Sequence, residues 1–540
     1  MGRRRWNKKH PEKAAEQRQQ QLRQDAGDPP VRLLALQPNS TTVAVAIGTR
    51  LAVVDYKTGC EYTLSAPPQA GQPQCQPHAG CLRVLLFSPD GRCLLTGGDD
   101  KSARLWLAEA ETARTSEAEA PAAGADVSAG SATANWCCAN AWLTPKKMSA
   151  GGFTRDGSYA MFADKFGDVL IGRVALPAPG TEQQPEPQQL QLQTPGSLLG
   201  HFCTIVTGVA ASPCGRYLAT SDKDFKVRVS VLPSEPLQGS YEIQCYCLGH
   251  QDFVSCVAFA APAVRSADGQ QQQQPQGGAV LLSGSGDGTV RMWDHVTGRQ
   301  LASYVASAPA AAAGGGAEGG GSGGAEEEPS GAGEEGEEEG DGEEEGAEEG
   351  PAGAGQGDAD GVEPQRRSKA PPCASVLSLA VSADGSTVAV VVEGEDEVQL
   401  LSLDWEKRAL TLQQRLRWPD VRYPCQVAFG PTGHLWVVGG VPLPTARSVH
   451  VGVAQRGPTG HFTPCTDEVL STRVRSLLEA RVEEEEAKMA EGGELFLYSK
   501  HLRKPVYDES EALTRKRMRN DHKETQRLAA LRLRQDEKAK

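Results

Sequence analysis

Seven segments of this 540-residue chain repeat one pattern, and no other feature narrows its fold as far. Each runs as an alternating apolar strand, a turn, a second strand, a polar turn and a third strand. The segments are approximately Val31–Leu64, His78–Glu109, Lys146–Leu176, Leu199–Pro233, His250–Val305, Ala374–Ala409 and Cys425–Ala454. Within them "VLLFSPDGRCLLTGGDDKSARLW", "GVAASPCGRYLATSDKDFKVRVS" and "SLAVSADGSTVAVVVEGEDEVQLL" align by eye. Short apolar runs between Gly/Asp turns argue for all-β structure rather than βαβ units. One such unit cannot bury its own two faces, so the repeats must pack on one another. Seven packed around an axis make a β-propeller. Whether Val31–Leu36 closes the ring as an outer strand of the last blade stays open at this level.

The fifth segment shows the rules of a blade most plainly. Gly249-His250 precedes its first strand, Asp287 sits in the tight turn of "SGSGDGTVRMWD", and the next strand closes on Trp293-Asp294. Such endings mark WD repeats, so the expected fold is a seven-bladed WD-repeat β-propeller. In such a blade the His, the turn Asp, a strand Ser or Thr and the Trp can form a buried hydrogen-bonded relay that satisfies one another's polar atoms. His78, Asp100 and Trp106 repeat the set. These six residues read as structural, because no nucleophile accompanies the His–Asp pairs at a fixed spacing. No catalytic residue is assigned.

Composition divides the chain further. The formal charge of −14 is misleading, because Ala310–Gly361 holds 17 acidic residues and no Lys or Arg, leaving +3 on the rest. Both ends are basic: Met1–Asp25 has eight Lys/Arg against three acids, and Lys500–Lys540 has thirteen against seven. Such tails suit nucleic acid. The expected organisation is a basic tail over 1–30, a propeller over 31–456 and an extension over 457–540 with charged helical segments. Disordered insertions are expected at approximately 110–136, 180–194, 263–278 and 306–368. The last is Gly/Glu-rich and too poor in apolar residues to fold.

The 14 cysteines include no Cys-x-x-Cys pair and no Cys/His cluster at zinc spacing, and read as buried, reduced thiols of an intracellular protein. No apolar run approaches the roughly 18 residues of a membrane span. The opening "MGRRRWNKKHPEK" is no secretory signal, since no apolar core follows it. It reads as a nuclear address or a solvated tail, and the nucleus is the expected location. There is no Gly-x-Gly-x-x-Gly after a strand, no Walker loop, no Gly-x-Ser-x-Gly and no His-Glu-x-x-His. No cofactor or metal is therefore expected on this chain.

One turn breaks the pattern. In "TSDKDFKVRVS" the frame matches "SGSGDGTVRMWD", with Asp224 opposite Asp287, yet Lys223, Phe225 and Lys226 fill the turn and Ser230 stands in place of Trp293. The third segment has "ADKFGDV", so Lys165 and Lys223 hold the same place in adjacent blades. With Lys226 and Arg228 they form an expected partner-binding patch on a propeller core of net charge −8 once the tails and the acidic insertion are set aside.

"ADKFGDV", "LATSDKDFKVRVS", "CLGHQDFVS" and "LLSGSGDGTVRMWDHVTGRQL", in this order, resemble the WD-repeat non-catalytic subunit of the tRNA (guanine-N7-)-methyltransferase. "HLRKPVYDESEALTRKRMRNDHKE" is similar too, whereas the insertions are extra, and Phe225 stands where an acidic residue is usual. The resemblance implies a chain that does no chemistry. A catalytic partner, paired with it as a heterodimer, would bind S-adenosylmethionine and methylate N7 of a variable-loop guanosine in tRNA. Lys165, Lys223, Lys226 and Arg228 would meet acidic residues on that partner. The competing class is a WD-repeat chromatin or ubiquitin-ligase adaptor that binds a peptide or histones.

Overall fold

The computed structural model describes residues 32–65, 78–108, 135–174, 192–262, 278–307, 374–440, 450–465 and 502–503. All lie in one compact unit, 1–308 with 373–540; a second unit, Pro309–Pro372, falls outside the described residues. So do nearly all of the expected insertions and, apart from Leu502 and Arg503, the expected C-terminal helices.

Six sheets make seven four-stranded blades, spanning 32–65, 82–143, 148–200, 206–248, 254–305, 376–417 and 424–464. Within each blade every strand pairs antiparallel with the next, from an inner strand outward. Inner strands neighbour one another in chain order, and Pro424–Phe429 lies beside Arg32–Leu36 to complete the ring. The fold is thus the all-β WD-repeat propeller.

The second strand of a blade explains the continuous apolar runs in the sequence. Thr42–Ile47, Tyr159–Asp164, Val280–Ser285 and Thr387–Val392 are buried along their whole length, because a neighbouring blade covers each face. The core accordingly lies between blades. Val280, Leu282 and Met292 of blade five pack with Val388, Val390 and Leu401 of blade six.

The question of Val31–Leu36 resolves simply. Arg32–Leu36 is the innermost strand of the first blade, not an outer strand of the last. The seam between blades one and seven is side-chain packing of Leu34, Val43 and Val45 against Trp436 and Val438, with the Leu34 amide donating to Gln426 Oε1 at 2.8 Å.

Two boundaries move. The seventh blade ends with Phe462–Pro464, beyond residue 456, and Asn135–Leu143 is a nine-residue strand whose first two residues had been placed in an insertion. Both are fourth strands. A three-strand repeat omits the fourth strand, which is half-exposed in Ile243–Leu248, whereas Asn135–Leu143 buries Trp136, Cys138, Ala141 and Trp142. Asn135–Leu143 also pairs in parallel with Thr63–Ser65 of blade one and with Leu192–Gln193, tying the first three blades at their rim.

One fragment of the C-terminal extension is described. Leu502 is buried, and Arg503 reaches across the junction of blades five and six. Its Nε stands 3.0 Å from Asp252, and its guanidinium donates to the Gly286 carbonyl at 3.1 Å and to Ser375 Oγ at 3.2 Å.

Candidate partner-binding face

Two blades carry the same buried chain of hydrogen bonds, and a third carries an altered one. In blade five, His250 Nδ1 lies 3.0 Å from Asp287, His250 Nε2 2.7 Å from Ser283 Oγ, and Trp293 Nε1 donates to that oxygen at 2.7 Å. A carboxylate only accepts, so Nδ1 carries the proton and Nε2 accepts from the serine hydroxyl. In blade two the corresponding contacts are His78–Asp100 at 2.9 Å, His78–Thr96 at 2.8 Å and Trp106–Thr96 at 2.8 Å. Burial raises the Asp100 and Asp287 carboxyls most strongly, but the bonds and charge of the histidine, together with those from Ser102, or from Thr289 and the Gln251 amide, outweigh it and hold both below their ordinary value. Burial lowers the His250 pKa and keeps the ring neutral.

Asp287, His250 and Ser283 have the order of a hydrolase triad, but not the access. Ser283 is fully buried and its hydroxyl oxygen already receives the indole N–H. A nucleophile needs an open side for substrate, so the arrangement holds the turn and does no chemistry.

Blade four keeps this scheme in altered form. His201 Nδ1 lies 3.1 Å from Asp222, and Nε2 2.7 Å from Thr220 Oγ1. The aspartate that meets the histidine is thus Asp222, two residues before the position expected from the frame with Asp287. Asp222 also caps the turn, accepting from the Asp224 and Lys226 amides at 2.8 and 3.1 Å. Without a Trp, Arg228 folds inward: Nε donates to Ser230 Oγ at 2.9 Å and the guanidinium to the Gly200 carbonyl at 2.9 Å. Ser230 is small enough to admit it. Arg228 is 8% exposed, so it supports the face from beneath and does not stand among the surface cations.

The lysines themselves occupy equivalent places. In six blades the first turn residue after the second strand donates its amide to a carbonyl just ahead of the inner strand. The pairs are Asp99–Cys81, Lys165–Lys147, Lys223–Ile205, Gly286–Phe253, Glu393–Ser375 and Gly440–Arg422. Among these, blades three and four alone present a cation. Lys165 and Lys223 are half-buried and Lys226 is exposed. Burial lowers the Lys165 pKa to about 8. In blade three Asp164 caps the turn through three amides, yet its other oxygen is buried with no hydrogen-bond partner among the described residues. Thr144 lies four residues before the inner strand, as His78 and His250 do in their blades, and burial raises the Asp164 carboxyl.

Two aromatic residues that the sequence does not single out, Phe166 and Phe202, join this face. Phe166 is 59% exposed and Phe202 92% exposed, both on this face. The Lys146 ammonium lies 4.4 Å from the Phe166 ring centroid. Phe225 adopts φ 71°, where blades three and five use Gly167 and Gly288. A side chain there is strained, so this turn is not the relaxed form of its neighbours. An exposed Phe cannot be told from a core Phe by residue type alone.

Residues 178–314, from just ahead of the outer strand of blade three through blade five, match the family model described as the tRNA methyltransferase TRM82 WD40 domain. The match contains Phe202, Lys223, Lys226 and Arg228, while Lys165 lies before it. Residues 72–106 match the WD domain, G-beta repeat. Similar relatives include the tRNA (guanine-N(7)-)-methyltransferase non-catalytic subunit wdr4 of Danio rerio, 33% identical over 169 residues, 31% of this chain and 33% of that one. The corresponding subunit of Homo sapiens is 30% identical with the same coverage. That of Dictyostelium discoideum is 24% identical over 280 residues, 50% of this chain and 48% of that one. The chain therefore spans between a third and a half of the length of these relatives.

Proposed function

We propose that this chain is the non-catalytic subunit of a tRNA (guanine-N7-)-methyltransferase and docks its catalytic partner on the face of blades three and four. The observation that carries this reading is the TRM82 WD40 match over the blades that bear Lys223, Lys226 and the inward Arg228. The relatives are named as non-catalytic subunits, and the buried His–Asp relays offer no chemistry of their own. S-adenosylmethionine belongs on the partner, the complex is a heterodimer that acts on tRNA in the nucleus, and the basic tails add salt-sensitive phosphate contacts.

Reconstitution tests this. The purified chain alone should neither bind S-adenosylmethionine nor methylate tRNA, and adding a catalytic subunit should produce N7-methylguanosine in the variable loop. Turnover by the single chain ends the proposal. Recovery of histones instead of a methyltransferase in a pull-down would favour the adaptor class.

Lys165 adds a pH signature. The free chain loses this charge near pH 8, whereas a carboxylate set against it favours the ammonium and raises its pKa. Complex formation then takes up a proton in mildly alkaline solution. Affinity should be level below about pH 7 and fall above about pH 8, by up to roughly tenfold per pH unit until the bound lysine titrates. Lys165→Arg stays charged and should flatten the fall. Calorimetric titration in which both proteins give the same slope would remove Lys165 from the interface.

A further inference from the structure

Phe202 is the most exposed large apolar side chain described, and the backbone that carries it is tied down on both sides. The His201 amide donates to the Gly167 carbonyl in the turn of blade three at 2.8 Å. The Ile205 carbonyl accepts from the Lys223 amide in the turn of blade four at 2.9 Å. The His201 ring is fixed on Asp222 and Thr220. Cys203, the next residue, takes φ 45°, a left-handed conformation that costs a non-glycine residue strain and persists only where surrounding contacts impose it.

A single exposed Phe is ordinary. What separates Phe202 is its place: its connector bridges the Lys165 and Lys223 turns, with Phe166 one residue from the Gly167 carbonyl that anchors it. Lys226, on the same turn as Lys223, pairs in register with Leu248, itself 62% exposed. Exposed apolar side chains and cations thus neighbour one another on these turns, the two ingredients of an interface whose apolar anchor is desolvated by a polar rim.

We propose that Phe202, with Phe166 beside it, is the apolar anchor of this face and enters a pocket on a protein partner whose rim carries carboxylates facing Lys165, Lys223 and Lys226. The inference rests on the reading of the catalytic subunit as partner. Exposed aromatics among lysines also suit stacked RNA bases, but two observations favour protein. The Phe166 ring already lies against the Lys146 ammonium, and Lys165 and Lys223 are half-buried, poorly placed to reach along a phosphate backbone.

The test titrates the full-length chain against the catalytic subunit with Phe202→Ser and Phe202→Leu. Phe202→Ser should weaken the complex roughly ten- to hundredfold, with an unchanged melting midpoint. Phe202→Leu should restore most of the loss. The Phe202→Ser defect should persist in high salt, where defects of lysine variants shrink. Wild-type binding with Phe202→Ser within twofold of it would overturn the anchor alone. A wild-type chain that binds no catalytic subunit would overturn both the anchor and the proposed function. A Phe202→Ser defect confined to tRNA binding by the isolated chain would assign the ring to RNA and overturn the anchor.

Discussion

A chain carrying Lys165→Glu, Lys223→Glu and Lys226→Glu together should fold normally and lose its affinity for the catalytic subunit by more than about a hundredfold. Each lysine sits in a turn whose shape is set by an aspartate cap, Asp164 or Asp222, and not by the lysine side chain. Replacement should therefore cost the fold little, typically under ~0.5 kcal/mol per site. Like charges brought face to face across an interface cost several kcal/mol, and three reversals act in one direction. Reversing carboxylates on the partner should recover part of the loss. Isothermal titration with circular dichroism as the folding control reads both quantities; unchanged affinity returns these lysines to the role of solvated turns. Arg228 is left out of the set deliberately. Its removal would leave the buried Ser230 Oγ of blade four without its donor and cut the bond to the Gly200 carbonyl of blade three, so its effect on binding could not be separated from damage to the blades.

Trp293→Ala should destabilise the propeller by roughly 3–5 kcal/mol, the range for removing a fully buried large aromatic side chain. The indole is fully buried between blades four and five with Ala219, Val229 and Val254, and its N–H is the donor that completes the bonds of Ser283. Both a cavity and an unmet hydroxyl oxygen would remain. Blade four manages without the indole because Arg228 reaches Ser230, but in blade five Arg291 is engaged with Thr289 and Gln300 and would have to be released first. Denaturant unfolding followed by tryptophan-independent circular dichroism measures the change. A loss below about 1 kcal/mol would mean that blade five relaxes into the arrangement of blade four.

The propeller was legible in the sequence because its buried second strands read as unbroken apolar runs and its turns repeat Gly and Asp. The outer strands were not, since Ile243–Leu248 and Phe462–Pro464 bury only part of their surface and carry no clear period. The equivalence of Lys165 and Lys223 was visible as a shared frame. The inward course of Arg228 was not, because residue type records charge and not direction, and an Arg opposite a small Ser reads the same whether it points out or folds over. Phe202 escaped for a similar reason: hydrophobicity alone places it in the core, and only the pinned connector shows it in solvent. The relay of blade four, His201 with Asp222, was not legible, because the frame sets Asp224 and not Asp222 opposite Asp287.

The seam at blades one and seven bears on how such a ring is assembled. Among the described residues no sheet waits for a strand from the far end of the chain, since Pro424–Phe429 pairs within its own blade and meets Arg32–Leu36 mainly through side chains. Each blade can therefore be completed in the order in which it leaves the ribosome, through pairings local in sequence, which are the fast ones to form. The last act is the meeting of two finished surfaces, Val43 and Val45 on one side and Trp436 and Val438 on the other, with no backbone to be threaded.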